Sequence, residues 1–401
     1  MSSPAPGPAQ TVVLSVSAAT LAVLPSMLLA GLALLVREEL GFGAFELGAA
    51  IATFFAASVV VSVPAGVLSE WIGPRPALLI GAATTATTLA GIGLVASSWM
   101  SLLPFMLLGG TANTVTQVAT NHLIARRIDS TRLGLAFGVK QSAIPIAGML
   151  AGLSLPILGL SVGWRVAYLM AALAIVPVVL LVRRIPSSSR SRDSRQRTGD
   201  APIRLLILLS VGAGLATGSG NGMTAFTVAA ADHAGFSSSA AGLLLMAGSL
   251  MGVSVRVSSG WLADRLGRWS LLLAGGLVGI GVLGYLGLAL EGPPAWRVVA
   301  TLVAFGGGWG FPGLILLTIA RTNPRSPATA MGVGRLGPSM GAILGPLAFG
   351  AIVDSSGYPA AWLAAAGASL ASAILLLSAR PFLRRYRASP DSFTGDQIPT
   401  A

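Results

Sequence analysis

The sequence predicts an all-α integral membrane protein, with twelve transmembrane helices arranged as two pseudo-symmetric six-helix halves. Three observations carry that prediction. Of 401 residues, 54% are hydrophobic and 9% charged, with a mean hydropathy of +0.81, whereas soluble domains carry roughly a quarter charged residues. Apolar runs of membrane-spanning length, about 20 residues each, recur along the chain. A charged turn between two such runs occurs twice, 194 residues apart, and the matching continues well beyond it.

Taken in order, the runs of the first half are Thr11–Val36, Phe45–Leu68, Pro76–Ala96, Ser101–Ile124, Leu133–Leu158 and Trp164–Val182. Those of the second half are Ile203–Ala230, Ser239–Leu262, Trp269–Leu290, Trp296–Ala320, Ala328–Val353 and Ala360–Ala379. Met1–Gln10 lacks the basic region of a cleaved signal, and the first run is longer than a signal core, so it is expected to stay as the first span. The resulting division is a tail (1–10), a first half (11–186), a linker (187–201), a second half (202–380) and a second tail (381–401). Ser187–Asp200 and the stretch from Ser389 onward are too polar to fold alone.

Charge sets the orientation. Alternate loops and tails hold 19 arginines and the opposite loops three, Arg37, Arg165 and Arg297. Basic residues collect on the cytoplasmic side, so both termini are expected to face the cytoplasm, in the cell inner membrane. The formal net charge of +12 lies in short connections, where it meets anionic lipid headgroups rather than nucleic acid. There is no cysteine, which excludes disulfides and thiolate metal sites.

The motif itself runs Gly260-Trp-Leu-Ala-Asp264-Arg265-Leu-Gly267-Arg268, and its first copy is Gly66-Val-Leu-Ser-Glu70-Trp-Ile-Gly73-Pro-Arg75. Its glycines are expected to permit a tight reversal between closely packed helices. At the same offset Arg127 matches Arg321, and Gly163 matches Gly357. A constant offset means tandem halves, and six spans per half gives both the same membrane orientation. The motif, its duplicate and the two halves, over roughly residues 11–380, resemble the major facilitator superfamily. That resemblance implies alternating access and a gating role for Asp264, Arg265 and Arg268. Glu70 and Arg75 would be a weaker version, since Glu70 replaces the usual Asp, and Trp71 and Pro74 replace basic residues.

The candidate site rests on charge placement. Lys140 is the single lysine, about 10–12 Å along the fifth span at 1.5 Å per residue. Arg256 lies one turn before Gly260, and Arg335 about two turns into the eleventh span. No Asp or Glu falls in the middle of any span. Bare charge in hydrocarbon is costly, so these cations need carbonyl dipoles, water, snorkelling to headgroups or an incoming anion. On the fourth span Asn113, Gln117 and Asn121 share one helical face. Thr217 and Asn221 form a similar stripe on the seventh. Gln141, beside Lys140, and Trp309 on the tenth complete the candidates. Polar stripes also serve helix–helix hydrogen bonding, and a lone Trp also serves packing.

Within the resembled family, the arginine four residues before the second motif is similar to the substrate-carboxylate ligand of monocarboxylate transporters. The cations on the eighth and eleventh spans resemble those of oxalate:formate antiporters. The acidic residue that monocarboxylate carriers place one turn before their arginine is Gly252 here. The expected function is therefore secondary transport of a small organic or inorganic anion by a functional monomer, with a proton or counter-ion as possible partner. The alternative is a proton-driven drug or metabolite efflux antiporter, with Glu46 or Asp232 as coupling groups. Dense Gly and Pro in the fifth and eleventh spans serve either packing or bending. His122 and His233 lie far apart and make no metal site. No catalytic constellation, cofactor or metal ligand set is read from the chain, so an enzyme is not expected.

Overall fold

The structure, a computed structural model, describes residues 7–128, 133–185, 203–266, 269–322 and 327–388. These are helical apart from short connections. A backbone in hydrocarbon has no water to bond to, so each crossing segment must satisfy its own polar groups. Helix covers every expected span. The first is Pro8–Gly31 continued by Ala33–Leu40, and the second is Ala44–Val60 continued by Ser62–Ile72. The third to sixth are Pro74–Val95, Trp99–Arg127, a segmented span over 133–162, and Trp164–Leu173 with Ile175–Arg183. The seventh to tenth are Ile203–His233, Ser238–Leu266, Ser270–Ala289, and Pro294–Trp309 with Pro312–Thr322. A last helical stretch, Pro327–Ala388, carries the eleventh and twelfth spans and breaks at Gly357 (φ 81°).

Among the described residues nine helices are individually long and apolar enough to cross a membrane, one of them the double-length stretch over 332–382. The second span falls short because it is split at Val61. The fourth is absent from the nine although it is 29 residues long; its row of amides and hydroxyls lowers its hydropathy. The 112° bend between Ala33–Leu40 and Ala44–Val60 is the reversal between two crossings. The Leu32 and Val36 amides continue the first helix's bonding through Leu32, and Gly41 ends it in the left-handed region at φ 65°.

The duplication is visible in the backbone. Positive φ falls at Gly41 and Gly235, and again at Gly163 and Gly357, each pair 194 residues apart. These are reversals that a side chain would strain. Helix starts use proline, at Pro8, Pro74 and Pro294, where the missing N–H costs nothing.

Glycine fixes the closest packing. On the seventh span Gly214, Gly218 and Gly222 repeat every four residues, as do Gly337, Gly341 and Gly345 on the eleventh. A methyl on Gly214 would lie 2.7 Å from the Gly337 carbonyl oxygen, and one on Gly341 would lie 2.9 Å from the Gly218 nitrogen. Such small-residue rows let two backbones touch when lipid offers no hydrophobic drive between helices. Across the halves, the fifth and eighth spans meet at Gly152 and Gly242, where a methyl on either would lie 2.6 Å from the carbonyl oxygen of the other. The second and eleventh spans meet near Gly48 and Pro346 and near Ala44 and Gly350.

We call the face where the first span begins the termini face and the opposite one the distal face. The backbone approaches at Gly48 and Gly350 lie toward the distal face. Nearer the termini face, Ser62–Ile72 packs on the third and fourth spans.

Gly341→Val should lower the melting temperature in detergent, by an overpacking cost of roughly 1–3 kcal/mol. Gly276→Val should not, because Gly276 is exposed and a methyl there meets nothing within 4 Å.

Candidate functional site

Lys140 is 2% exposed. Its ammonium donates to the Gln117 amide oxygen, and to Asn121 Oδ1 at 2.9 Å. The fourth-span face read from sequence thus turns toward the fifth-span lysine. The network continues: Gln117 Nε2 donates to Asn113 Oδ1 (3.5 Å), Asn113 Nδ2 to Ser58 Oγ (3.4 Å), and Ser58 Oγ to the Gly110 carbonyl (2.8 Å). Gln117 is oriented through Asn113 and Ser58 so that its oxygen faces the ammonium. An ammonium has three donors, and two are used here. The neighbouring Ser142 hydroxyl is buried without a partner among the described residues.

Arg335, on the eleventh span, comes from the other half. It is exposed, forms no hydrogen bond or ion pair among the described residues, and lies near enough to Lys140 for their charges to repel. The ion pair among the described residues, Arg165 with Glu39, is remote from both, on the distal face.

Arg256 sits differently. Its Nε donates to the Trp309 carbonyl at 2.8 Å and its Nη1 to the Gln141 carbonyl at 2.5 Å. Proline explains why the second acceptor is free. In a continuous helix the Gln141 carbonyl would bond the amide of residue 145, but Pro145 has none, and the fifth span breaks at Ser142. Trp309 likewise ends its helix before Pro312. One guanidinium satisfies both carbonyls and joins the halves, stacked 5.1 Å from the centre of the Trp309 indole ring. Gln141 contributes here through its backbone. Trp309 Nε1 donates to Thr224 Oγ1 at 3.1 Å, which anchors the ring on the seventh span.

The seventh-span stripe is turned inward on its own helix. Thr217 Oγ1 donates to the Ala213 carbonyl (2.7 Å) and Asn221 Nδ2 to the Thr217 carbonyl (3.1 Å). The structure does not link either residue to the cations. Ser58 went unnoticed in the sequence; its only signal is a hydroxyl within an apolar run.

The repeated motif is partly described. Gly73 makes the expected turn at φ 85°. Gly66 and Gly260 correct the expectation of close helix packing, because a methyl at either meets nothing within 4 Å; Gly260 is exposed and Gly66 half-buried, and neither position is crowded. Glu70 is exposed and Arg75 half-buried, and neither forms a hydrogen bond or ion pair among the described residues. Gly267, Arg268 and the side chains of Asp264 and Arg265 lie outside the described residues. A crevice of about 330 Å³, lined by Thr227, Arg297, Thr301 and Trp362 among others, lies in the last six spans and includes none of the three cations.

Apolar crossing helices, a pseudo-repeat and a polar cluster between the halves define a membrane transporter rather than an enzyme. The chain belongs to the Major Facilitator Superfamily, which matches residues 14–335. It is 26% identical over 316 residues to an uncharacterized MFS-type transporter of Mycobacterium tuberculosis, in strains CDC 1551 and H37Rv, covering 76% of this chain and 70% of the relative. Among solved structures it resembles the human organic anion transporter MFSD10 (TETRAN), with TM-score 0.69, 17% identity, and 92% and 100% of the two chains covered. It also resembles a bacterial homologue of the human lysosomal transporter Spinster in an inward-facing, occupied conformation, with TM-score 0.67, 17% identity, and coverage of 96% and 98%.

Arg256→Met should lower thermal stability by about 1–3 kcal/mol per carbonyl left buried without a donor, read as a drop in melting temperature in detergent. Trp309→Phe should lower it less, since only the Thr224 bond and part of the ring are lost.

Proposed function

We propose that the protein moves a small organic or inorganic anion by alternating access, with Lys140 and Arg335 as the groups that meet it. The observation that carries this reading is a buried ammonium whose partners are neutral amide oxygens, with a second cation near it and no carboxylate bonded to either among the described residues. Bringing two cations together costs energy, and an anion between them removes that cost. At 4 Å, a unit anion and a cation attract by about 4 kcal/mol at an effective dielectric near 20. That is about the whole binding energy of a millimolar ligand, so Lys140 alone can account for weak but specific capture.

Asn113, Gln117 and Asn121 shape the pocket by fixing the ammonium. Arg256 braces Gln141, next to Lys140, against the other half. Trp309 acts one step away, its carbonyl and ring positioning the brace, while Thr217 and Asn221 stay on their own helix. The organic anions carried by human MFSD10 show that this fold accommodates such cargo; at 17% identity they do not define the cargo here.

The termini face is the cytoplasmic one on this reading, in a bacterial inner membrane. The linker over 187–201 ties halves 11–186 and 202–380, which rock against each other, and the motif around Asp264 gates the termini side in a functional monomer. Proton-driven drug efflux has less support. Glu46, one of its two candidate coupling groups, is engaged at 2.9 Å by the Gly43 amide of its own helix start.

In proteoliposomes, Lys140→Met and Arg335→Gln should each reduce anion uptake at least tenfold while the purified variants stay folded. The parent should be stabilised against heat by its anion, as ligands of the folded state require, and both variants should lose that stabilisation. Uptake retained in both variants removes the site.

A further inference from the structure

At the distal face the two halves are joined by a bond that neither the cargo site nor the repeated motif explains. Asp354, at the far end of the eleventh span, accepts from the Ala44 amide at 3.2 Å and from the Phe45 amide at 2.7 Å. Those amides open the second span, 310 and 309 residues away. The first amides of a helix have no partner within it and carry its positive end, so a carboxylate from the opposite half is a matched cap.

The surroundings are built for it. Glu46 Oε2 accepts from the Gly43 amide at 2.9 Å, so two carboxylates crowd one helix start. Gly43 leaves room for the Glu46 carboxylate, since a methyl there would lie 2.9 Å from Glu46 Oε2. Beside it, Arg37 at the end of the first span acts electrostatically on the Tyr358 phenol of the other half. Asp232 acts on the same phenol electrostatically, and the His233 ring lies 4.9 Å from it. Burial holds that phenol above its usual range and Arg37 offsets part of the shift, while Asp354 and Asp232 add to it; Tyr358 stays neutral and able to accept.

We infer that Asp354 is the distal latch of the transport cycle, a positioning residue whose capping bonds hold the second and eleventh spans together in the conformation described and must break for the distal face to open. It touches no cargo. The Ala44 and Phe45 amides then return to water, which is present at this face because Asp354 and Phe45 are exposed. Exposure keeps the latch weak, strong enough to bias the two states without locking them.

The absence of native cysteine makes the test direct. Spin labels at Glu38→Cys and Ser237→Cys, both exposed and on distal connections of opposite halves, report the distal opening as a distance distribution in nanodiscs. Losing a helix cap typically costs about 1 kcal/mol, so Asp354→Ala should raise the long-distance population roughly fivefold. Asp354→Asn, which keeps an acceptor oxygen but loses the charge matched to the helix's positive end, should raise it less. Should Asp354→Ala not fold, Asp354→Asn carries the test. Distributions identical to the parent in the folded variants would overturn the latch.

Discussion

The polar cluster on the fourth and fifth spans is arranged around one ammonium that, among the described residues, has amide oxygens for partners and no carboxylate. Burying such a group is tolerable only if oxygen dipoles surround it in the correct sense. The fourth span supplies them through a relay in which Asn113 is held by Ser58, Gln117 by Asn113, and Lys140 by Gln117 and Asn121. Reversing the Gln117 or Asn121 amide would turn a donor toward the charge, and reversing Asn113 would set two donors against each other. The relay also explains why a span in an otherwise apolar chain carries so many polar side chains.

A second constraint, full backbone satisfaction without water, accounts for Arg256. Helix breaks at Ser142 and after Trp309 release carbonyls, and a single guanidinium reaches both. Its planar fork suits two separate acceptors in a way that an ammonium on a flexible stem does not. The same side chain therefore mends two breaks and ties the halves, so bending in the fifth and tenth spans is compatible with a bundle that holds together.

Much of this was legible in the chain. The constant offset announced the repeat, and Gly163 matched to Gly357 reappears as a pair of left-handed reversals. Spacing by four put Asn113, Gln117 and Asn121 on one face, and the structure turns that face to Lys140. What stayed hidden depended on distance between helices. Nothing local says that Arg256 reaches the Gln141 carbonyl, although Pro145 marks where an acceptor is freed. The packing role read for Gly66 and Gly260 failed because glycine permits close approach without requiring it. Asp354 looked like one loop acid among several, since its partners lie more than 300 residues away in sequence.

The glycine rows of the seventh and eleventh spans have a mechanical consequence. Backbones in contact at Gly214 and Gly337, and at Gly218 and Gly341, leave no compliant layer of side chains between the two helices. The eleventh span runs as one helix from Pro327 to Gly357, with Pro338 and Pro346 inside it, so Arg335 and Asp354 stand near opposite ends of one helix, about 28 Å apart at 1.5 Å per residue. Each of those prolines removes a helical hydrogen bond between the two ends, so the helix can flex about its seventh-span contacts, which act as a fulcrum.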